Sequence, residues 1–481
     1  MSVTQFCDQR FQNQRDLYQF LTQCQGHIKD ENNPLIVSIA FAIDPIDPLI
    51  VFDRLAASDQ LNFYFEKQDS SKYPFAKSQR IAIAALGSVL KLQTESVYRF
   101  TQVKEFIQAT LARTIVVGSP AASMEAAFFC SFTFQPLAST ADSAPFPAAT
   151  VFLPKWQISN HNQTCSVVCN LLLDDTIECE TSVAELWQTL QYIQSIRQEQ
   201  ISASAAAETP LQMQHVASTE TFKYSVQAAL AAIETHQFDK IVLAHAVDVI
   251  SPTPFDRGRC LNNLRRLYPD CYIFLATNEN GHAFLGASPE RLVRVQNRQL
   301  VTDALAGSAP RGQTKQADAY LATALLNSHK DNYEHQLVVD FITRKLTQLG
   351  LKPELSPLKL LQLSNIQHLH TPIQAVVPAT VHVLDILAEL HPTPAVAGLP
   401  RDVACTEIDR WEPFERSLYA APIGWINSQG DGEFAVGIRS ALLDGCRARL
   451  FAGAGIVAGS DPDRELAEVQ LKLQALLATL V

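Results

Sequence analysis

The segment from Phe451 to Glu468 reads FAGAGIVAGSDPDRELAE, which predicts a strand, a glycine turn and then a helix. Its glycines at 453, 455 and 459 allow the backbone to approach a ligand closely or to adopt a positive φ. Asp461 and Pro462 indicate the helix start, because aspartate caps a first turn and proline fits the first helical position. A glycine turn ahead of a helix also presents free amides to an anion.

The helix predicted after this turn has an apolar stripe and a charged stripe. The apolar residues at helical spacing are Leu466, Val469, Leu473, Leu476 and Leu480. The charged stripe contains Glu465, Glu468 and Lys472, three and four residues apart. Such charges are most often a solvated face, but beside a glycine turn they also suit a cation together with a carboxylate-bearing ligand.

Composition excludes several classes of protein. The 481 residues are 47% hydrophobic, enough for a large core, and the formal charge of −11 argues against a nucleic-acid binder. No apolar run reaches the roughly 18 residues of a membrane helix, and the N-terminus has no signal-peptide pattern. The 10 cysteines are scattered without CxxC pairs, which predicts reduced thiols in a cytoplasmic protein.

The first part of the chain, residues 1–201, alternates short apolar runs with turn signals and predicts a strand-rich subdomain with a large antiparallel sheet. The predicted strands include 35–41, 49–52, 61–65, 80–87, 114–117, 126–134, 149–153 and 164–172, with a helix over 183–198. Residues 202–217, rich in Ala, Ser and Gln, are interpreted as a connecting segment. The residues with chemical character follow in 218–481.

A lysine begins the clearest strand of this second part, predicted over 238–247. Period-two alternation places Lys240 on one face with Val242 and Ala244. Desolvation of such an amine favours its neutral form, which can act as a base. A lysine at a strand entry can equally extend to water, and the pattern leaves both interpretations open.

Two glutamates occupy contrasting positions. Glu290 follows a strand that Pro289 ends, where a solvated turn carboxylate is the commoner outcome. Glu334 lies in a helix predicted over 331–349, three and four residues before Leu337 and Val338, so it points to the buried side. A buried carboxylate needs an ion-pair partner or a metal.

An arginine lies in the strand predicted over 433–442. Alternation groups Arg439 with Gly437 and Ala441, so an inward guanidinium that binds a carboxylate and an arginine on a solvated face are both consistent with the pattern. Residues 307–312 predict a tight loop close to which a ligand can bind.

Many short motifs occur in a fixed order over 222–481. They are KIVLA at 240–244, SPERL at 288–292, AGS at 306–308, KDNYEH at 330–335, QHL at 367–369, HPTPAV at 391–396, EPFER at 412–416, PIGW at 422–425, IR at 438–439 and GAGIV at 453–457. With this order the chain resembles the chorismate-utilising enzymes, which include isochorismate, salicylate, anthranilate and aminodeoxychorismate synthases. Residues 1–201 resemble that family more loosely.

The resemblance implies an α/β (α+β) fold in which two large antiparallel sheets pack together under a cover of helices. Residues 1–201 and 218–481 would then form one intertwined unit. It also implies Mg²⁺ held by Glu334 and Glu468, with Glu465 near the metal or its waters.

The same resemblance implies the substrate contacts. Lys240 is the expected base and Glu290 the expected acid. The residues expected to hold the substrate carboxylates are Arg439, Tyr419, Lys472 and the amides of Gly453, Ala454 and Gly455. His368 is expected to line the ring, with Ser308, Ala395 and Val396 also bordering the substrate. Where this chain has Ser417 and Ala421, many family members have glycine.

Family members differ in what attacks the ring. Members that add water have a lysine at the position of Lys240, whereas nitrogen-using members do not need a strong base. Salicylate synthases tend to have threonine where this chain has Ala395. The expectation is therefore a cytoplasmic, monomeric isochorismate synthase of the menaquinone or phylloquinone type, without a glutaminase subunit. The alternatives are a salicylate synthase, a nitrogen-using synthase subunit and a non-catalytic homologue.

Overall fold

The computed structural model describes residues 6–7, 11, 13–26, 28, 34–69, 79–118, 126–136, 144–162, 164–196, 211–363 and 366–480. The strands within these residues are β1 (Phe6–Cys7), β2 (Leu35–Ile43), β3 (Asn62–Asp69), β4 (Gln79–Leu86), β5 (Leu90–Thr94), β6 (Thr114–Gly118), β7 (Ala127–Phe132), β8 (Ala149–Leu153), β9 (Trp156–His161), β10 (Thr164–Leu173), β11 (Gln212–His215), β12 (Lys240–Ile250), β13 (Tyr272–Thr277), β14 (Ala283–Ser288), β15 (Arg291–Gln296), β16 (Gln299–Pro310), β17 (Glu354–Leu355), β18 (Lys359–Gln362), β19 (Ile366–Val376), β20 (Gly398–Leu399), β21 (Pro422–Asn427), β22 (Gly432–Val436), β23 (Ser440–Asp444) and β24 (Arg447–Ile456). The helices are α1 (Gln14–Gln25), α2 (Pro48–Leu55), α3 (Arg99–Leu111), α4 (Cys179–Ser195), α5 (Thr219–Glu234), α6 (Arg257–Leu267), α7 (Lys315–Leu326), α8 (His329–Gln348), α9 (Val383–Leu390), α10 (Arg401–Trp411) and α11 (Pro462–Leu477).

The strands form two sheets. The larger has the order β1-β6-β2-β10-β9-β4-β3-β13-β14-β23-β24-β12-β11, with β20 beside β12. The smaller has the order β17-β19-β16-β15-β22-β21-β7-β8-β5, with β18 beside β19. Pairing is antiparallel except where β6 runs parallel to β1 and β2. Two large, mostly antiparallel sheets with helices match the predicted fold class, which is confirmed.

Strands from both parts of the chain occur in both sheets. In the larger sheet β3 pairs with β13, and in the smaller sheet β7 pairs with β21. Aromatic side chains join the inner faces: Phe63 of β3 and Phe129 of β7 have ring centroids 5.1 Å apart. The buried apolar side chains of the two sheets therefore belong to one core.

Helices cover the outer faces and carry charged residues to the region between the sheets. Helices α5 and α11 pack against β12 and β24 of the larger sheet, whereas α8 packs against β16 and β19 of the smaller. Among the described helices, none combines the length and apolar character needed to cross a membrane.

The segment at 451–468 folds nearly as predicted. Gly453 and Gly455 lie within β24 rather than in a turn, because β12 continues to pair with this strand as far as Ile456. The turn comes later and contains Gly459, at φ +83°. Asp461 then caps α11 by accepting a hydrogen bond of 3.0 Å from the Arg464 amide.

The predictions for two short segments were wrong. Residues 49–52 form part of α2 and not a strand, because Asp47 caps the helix and Pro48 occupies its first turn. A four-residue apolar run has no periodicity that separates helix from strand. Residues 307–310 continue β16 instead of forming a loop, with Gly307 at φ +77° in a bulge opposite β19.

The strand predicted over 433–442 is broken. Strand β22 ends in the smaller sheet and β23 begins in the larger, so the chain crosses between sheets over 437–439. Arg439 has φ +50° at this crossing, which period-two alternation did not predict. Within the predicted connecting segment, 212–215 form β11 paired with β12, and 202–210 lie outside the described residues.

Candidate active site

An open cavity bordered by strands of both sheets contains most of the predicted site residues. Its volume is about 970 Å³, counting the solvent at its mouth. It is lined by Val242, Pro289, Glu290, Leu305, Ala306, Gly307, Ser308, Lys330, Asp331, Glu334, His368, Ala395, Val396, Tyr419, Ala420, Ile438, Arg439, Phe451, Ala452, Gly453, Gly455, Glu465, Glu468 and Lys472. Lys240 and Ala454 are the predicted residues that do not line it. The side chain of Ala454 points to the other face of β24.

The carboxyl group of Glu290 is buried at a second crossing between the sheets. Strand β14 of the larger sheet ends at Ser288 and β15 of the smaller begins at Arg291. Burial raises the pKa of Glu290 from 4.5 to about 8; Lys240 opposes this shift and the negative charge of Asp303 adds to it. Glu290 is therefore protonated at neutral pH and can donate a proton into the cavity.

The amine of Lys240 lies behind the cavity wall. Its side chain has no exposed surface, and Nζ is 2.8 Å from Oε1 of Glu334. The two atoms are close enough for an ion pair, but their angles are not those of a hydrogen bond. Nζ is therefore buried without a hydrogen-bond partner. A Cβ at position 455 would lie 2.5 Å from Glu334 Oε1, so Gly455 is required for this approach.

Three of the acidic residues that line the cavity, Glu334, Glu465 and Glu468, each have a lysine partner. Beside the Lys240–Glu334 pair, Lys330 Nζ is 3.0 Å from Glu465 Oε1 and Lys472 Nζ is 2.7 Å from Glu468 Oε1. The structure thus brings together all three glutamates that the sequence predicted around a metal. Charge is balanced within the site by side chains on β12, α8 and α11.

The side chains around the cavity offer oxygen donors of the kind that suits Mg²⁺, the ion that the family resemblance implies. No three carboxylate, imidazole or thiolate ligands converge anywhere in the described ranges. Mg²⁺ does not need such a cluster, because it commonly takes one or two carboxylates and completes its octahedron with water and substrate oxygens. Glu334, Glu465 and Glu468 supply oxygen donors on one cavity, and Glu334 Oε1 occupies the space that a Cβ at position 455 would take, so the residues fit Mg²⁺.

Arg439, His368 and Ser308 form a hydrogen-bonded chain along the wall. Arg439 Nη2 donates to His368 Nε2 over 3.0 Å, and His368 Nδ1 lies 2.8 Å from Ser308 Oγ. Because a guanidinium only donates, the histidine proton is on Nδ1 and is donated to the hydroxyl. Burial, then Arg439 and Lys472, hold the pKa of His368 well below its usual range, which keeps the ring neutral.

The other guanidinium nitrogen, Nη1 of Arg439, is buried without a hydrogen-bond partner. The neighbouring thiol of Cys271 is only a weak acceptor. A buried donor of this kind is costly unless a ligand completes it. Arg439 is therefore equipped to bind an anionic group, as its residue type predicted.

The opposite part of the wall is formed by β24 and Tyr419. Lys472 Nζ donates to the Gly453 carbonyl over 2.8 Å, and a Cβ at Gly453 would lie 3.0 Å from the Tyr419 hydroxyl. The Tyr419 ring stacks on Phe451 with centroids 5.1 Å apart. Ser417, at φ +49°, adopts a conformation that glycine favours, whereas Ala421 has no positive φ.

A buried ion pair supports the wall from behind. Arg416 donates to the carbonyls of Val396 and Val242 over 2.8 and 2.7 Å, and pairs with Glu412. Glu412 accepts the Ala244 amide over 2.7 Å. These contacts tie β12 to the loop that carries Val396, a role that the sequence alone did not assign to the EPFER motif.

Sequence reasoning missed Lys330 and Asp331 as cavity residues. Asp331 lies three residues before Glu334, on the same face of α8, and this spacing was the available signal. Val242, Leu305 and Phe451 also line the cavity, but apolar residues at such positions cannot be distinguished from core residues by pattern.

Comparisons with known proteins identify the family to which this chain belongs. The model of the chorismate binding enzyme family matches residues 19–481. The salicylate biosynthesis isochorismate synthase of Pseudomonas aeruginosa is 33% identical over 94% of this chain and 91% of its own length. Isochorismate synthase MenF of Bacillus subtilis is 29% identical over 94% of this chain and 95% of its own.

Solved structures give the same result. MenF, the menaquinone-specific isochorismate synthase from Escherichia coli, has a TM-score of 0.76 and 25% identity, covering 96% of this chain and 99% of that chain. Anthranilate synthase component I from Streptococcus pneumoniae shares the fold, with a TM-score of 0.67 and 20% identity over 90% of this chain and 97% of its own. The family model covers almost the whole chain, and the chain belongs to the chorismate binding enzymes.

Proposed function

We propose that this enzyme is an isochorismate synthase, an isomerase that converts chorismate to isochorismate. The observation that carries the proposal is a protonated acid, Glu290, in the cavity together with the amine of Lys240, which lies behind the cavity wall, 2.8 Å from the cavity residue Glu334. Water is a weak nucleophile and needs a base, whereas a hydroxyl leaves readily only when it is protonated. The isochorismate synthases of P. aeruginosa and B. subtilis, which match nearly the whole chain, support the same reaction.

The reaction balances with one water consumed and one released. With its amine in the neutral form, Lys240 accepts a proton from water as the water oxygen bonds to the ring carbon beside the carboxylate-bearing carbon, and the ammonium that forms pairs with Glu334. The ring double bonds shift, the distant C–O bond breaks, and Glu290 donates its proton to the departing hydroxyl. Two groups with opposite roles need different environments, and burial of Glu290 supplies one of them.

Substrate is held by groups that are already on the cavity wall. Arg439 lines the cavity and brings a guanidinium to one substrate carboxylate, with Lys472 and Tyr419 facing the same space. His368, Ser308, Ala395 and Val396 border the ring, and Gly453 and Gly455 leave room for the ligand beside β24. The fixed position of these groups lowers the entropy cost of aligning the substrate.

We also propose Mg²⁺ as the cofactor, held by Glu334 and Glu468 with Glu465 near its waters. When bound it neutralises a substrate carboxylate and developing negative charge. We further propose that the enzyme is a cytoplasmic monomer without a glutaminase subunit. Its product would enter menaquinone or phylloquinone biosynthesis. Support for that pathway comes from the menaquinone-specific E. coli relative, while the P. aeruginosa relative is named for salicylate biosynthesis.

The purified enzyme should be incubated with chorismate and Mg²⁺ in the absence of ammonia, and the products separated by chromatography. Isochorismate as the sole product is the expected result. Salicylate with pyruvate would identify a salicylate synthase and weaken the argument from Ala395. A product that forms only when ammonia is added would contradict water addition.

A further inference from the structure

We propose that Lys330 is an internal counter-ion that competes with the metal ion for Glu465 and so sets the metal affinity of the site. Lys330 has no part in the proposed chemistry, although it lines the same cavity. The proposal rests on the metal role in the proposed function. It concerns how tightly the protein binds the ion, not which reaction follows.

The geometry joins the two helices that carry the metal-binding carboxylates. Lys330 lies in the first turn of α8, four residues before Glu334, and its Nζ reaches 3.0 Å from Glu465 Oε1 on α11. Glu468 follows three residues after Glu465 on the same helix. The ammonium therefore occupies a place among the carboxylates that suits a cation.

Exposure differs between the two partners of this ion pair. The Glu465 side chain is 6% exposed, whereas that of Lys330 is 38% exposed. A carboxylate this buried needs a positive partner, since an unpaired buried charge is strongly unfavourable. Lysine has a flexible stem and can move its ammonium to water, so it can yield its place to a metal ion.

Competition and simple bracing of the helices predict opposite results. If Lys330 competes, its neutralisation leaves the buried charge of Glu465 without its partner and strengthens metal binding. If Lys330 only holds α8 against α11, its loss loosens the site and weakens metal binding. Metal affinity measured without substrate separates these roles.

The experiment is titration calorimetry of the full-length enzyme with Mg²⁺, and with Mn²⁺ followed by electron paramagnetic resonance. We expect K330Q to bind each ion about tenfold more tightly, the order of one partly buried ion pair. K330R should bind no more tightly than the unaltered enzyme, because arginine pairs bidentately with a carboxylate. Unchanged or weaker binding by K330Q would overturn the proposal.

A matched control separates local competition from the general field. Lys223 pairs with Asp463 over 2.7 Å, two residues before Glu465 on the same helix, and Asp463 is well exposed. K223Q removes the same charge but leaves Glu465 paired with Lys330. In the presence of salt it should therefore change the metal affinity by less than about twofold. An equal gain in both variants would refute direct competition.

Thermal unfolding gives a second readout. Without metal, K330Q should have a lower Tm than the unaltered enzyme, and Mg²⁺ should raise its Tm by more. Failure of the unaltered enzyme to bind either ion would refute the metal role in the proposed function. Normal binding by that enzyme with no gain in K330Q would refute only the role of Lys330.

Discussion

At the scale of single residues, the chemistry of the site depends on the pKa of the buried Glu290. Burial raises the pKa of its carboxyl group to about 8, from 4.5 for an ordinary glutamate. The same burial that makes this residue an acid also makes the folded chain bind a proton that the unfolded chain releases. Activity and stability are therefore linked through one carboxyl group.

Replacement of Glu290 by glutamine separates the two effects. Turnover should fall by at least about a hundredfold, since general acid catalysis is lost. In the unaltered enzyme, kcat should decline as pH rises through about 8, where Glu290 loses its proton.

E290Q should lower the activity of the enzyme but raise the stability of its fold at alkaline pH. Because the folded pKa is raised, the unaltered protein loses stability as pH rises from about 4.5 towards 8. Denaturant unfolding should show E290Q to be more stable than the unaltered protein at pH 8, with a smaller difference at pH 5. Equal pH slopes for the two proteins would contradict the burial of an uncharged Glu290.

Lys240 gives the complementary prediction. K240Q should lose water addition, because an amide cannot accept the proton, while chorismate should still bind in the presence of Mg²⁺. Product analysis by chromatography and substrate titration calorimetry measure the two properties separately. Turnover equal to that of the unaltered enzyme would rule out Lys240 as the base.

At the scale of elements, predictions succeeded where a residue lies inside one regular element. Period 3.6 placed Glu334, which lies within α8, on the buried side of its helix, whereas period two left burial and exposure of Lys240, the first residue of β12, both open. Arg439 and Glu290 lie where the chain passes from one sheet to the other, and local periodicity has no information about such a crossing. The cavity residues Lys330 and Asp331 were missed although Asp331 shares a helix face with Glu334, because spacing alone does not show that this face borders a cavity.

The Arg416–Glu412 pair shows how one element fixes another. Both side chains are 3% exposed, and together they hold β12 and the carbonyl of Val396. Replacing Glu412 with glutamine leaves a buried guanidinium unpaired, which should lower the free energy of unfolding by about 3–5 kcal/mol. Urea unfolding measures this loss.

A suitable comparison for Glu412 is E389Q, which removes the partner of Lys345 in a more exposed ion pair. That change should cost less than about 1 kcal/mol. Similar losses of unfolding free energy in the two variants would show that burial of the Arg416–Glu412 pair contributes little to stability.

At the scale of the whole molecule, we propose that residues 1–201 and 218–481 fold as one unit. Strands β3 and β7 of the first part pair with β13 and β21 of the second, so separation exposes long unpaired edges in both sheets. Expressed alone, each part should aggregate or lack a cooperative unfolding transition in calorimetry. Coexpression should restore a soluble complex; a cooperative transition in either isolated part would contradict the proposal.

The two chain crossings have a consequence for how this enzyme tolerates change. Glu290 and Arg439 are attached to both sheets, so their separation depends on the thickness of the apolar layer between the sheets. The contact of Phe63 with Phe129 is part of that layer. Evolutionary drift in the volume of such distant rings should therefore alter catalytic alignment before it unfolds the protein, and compensating substitutions across the layer should arise in pairs.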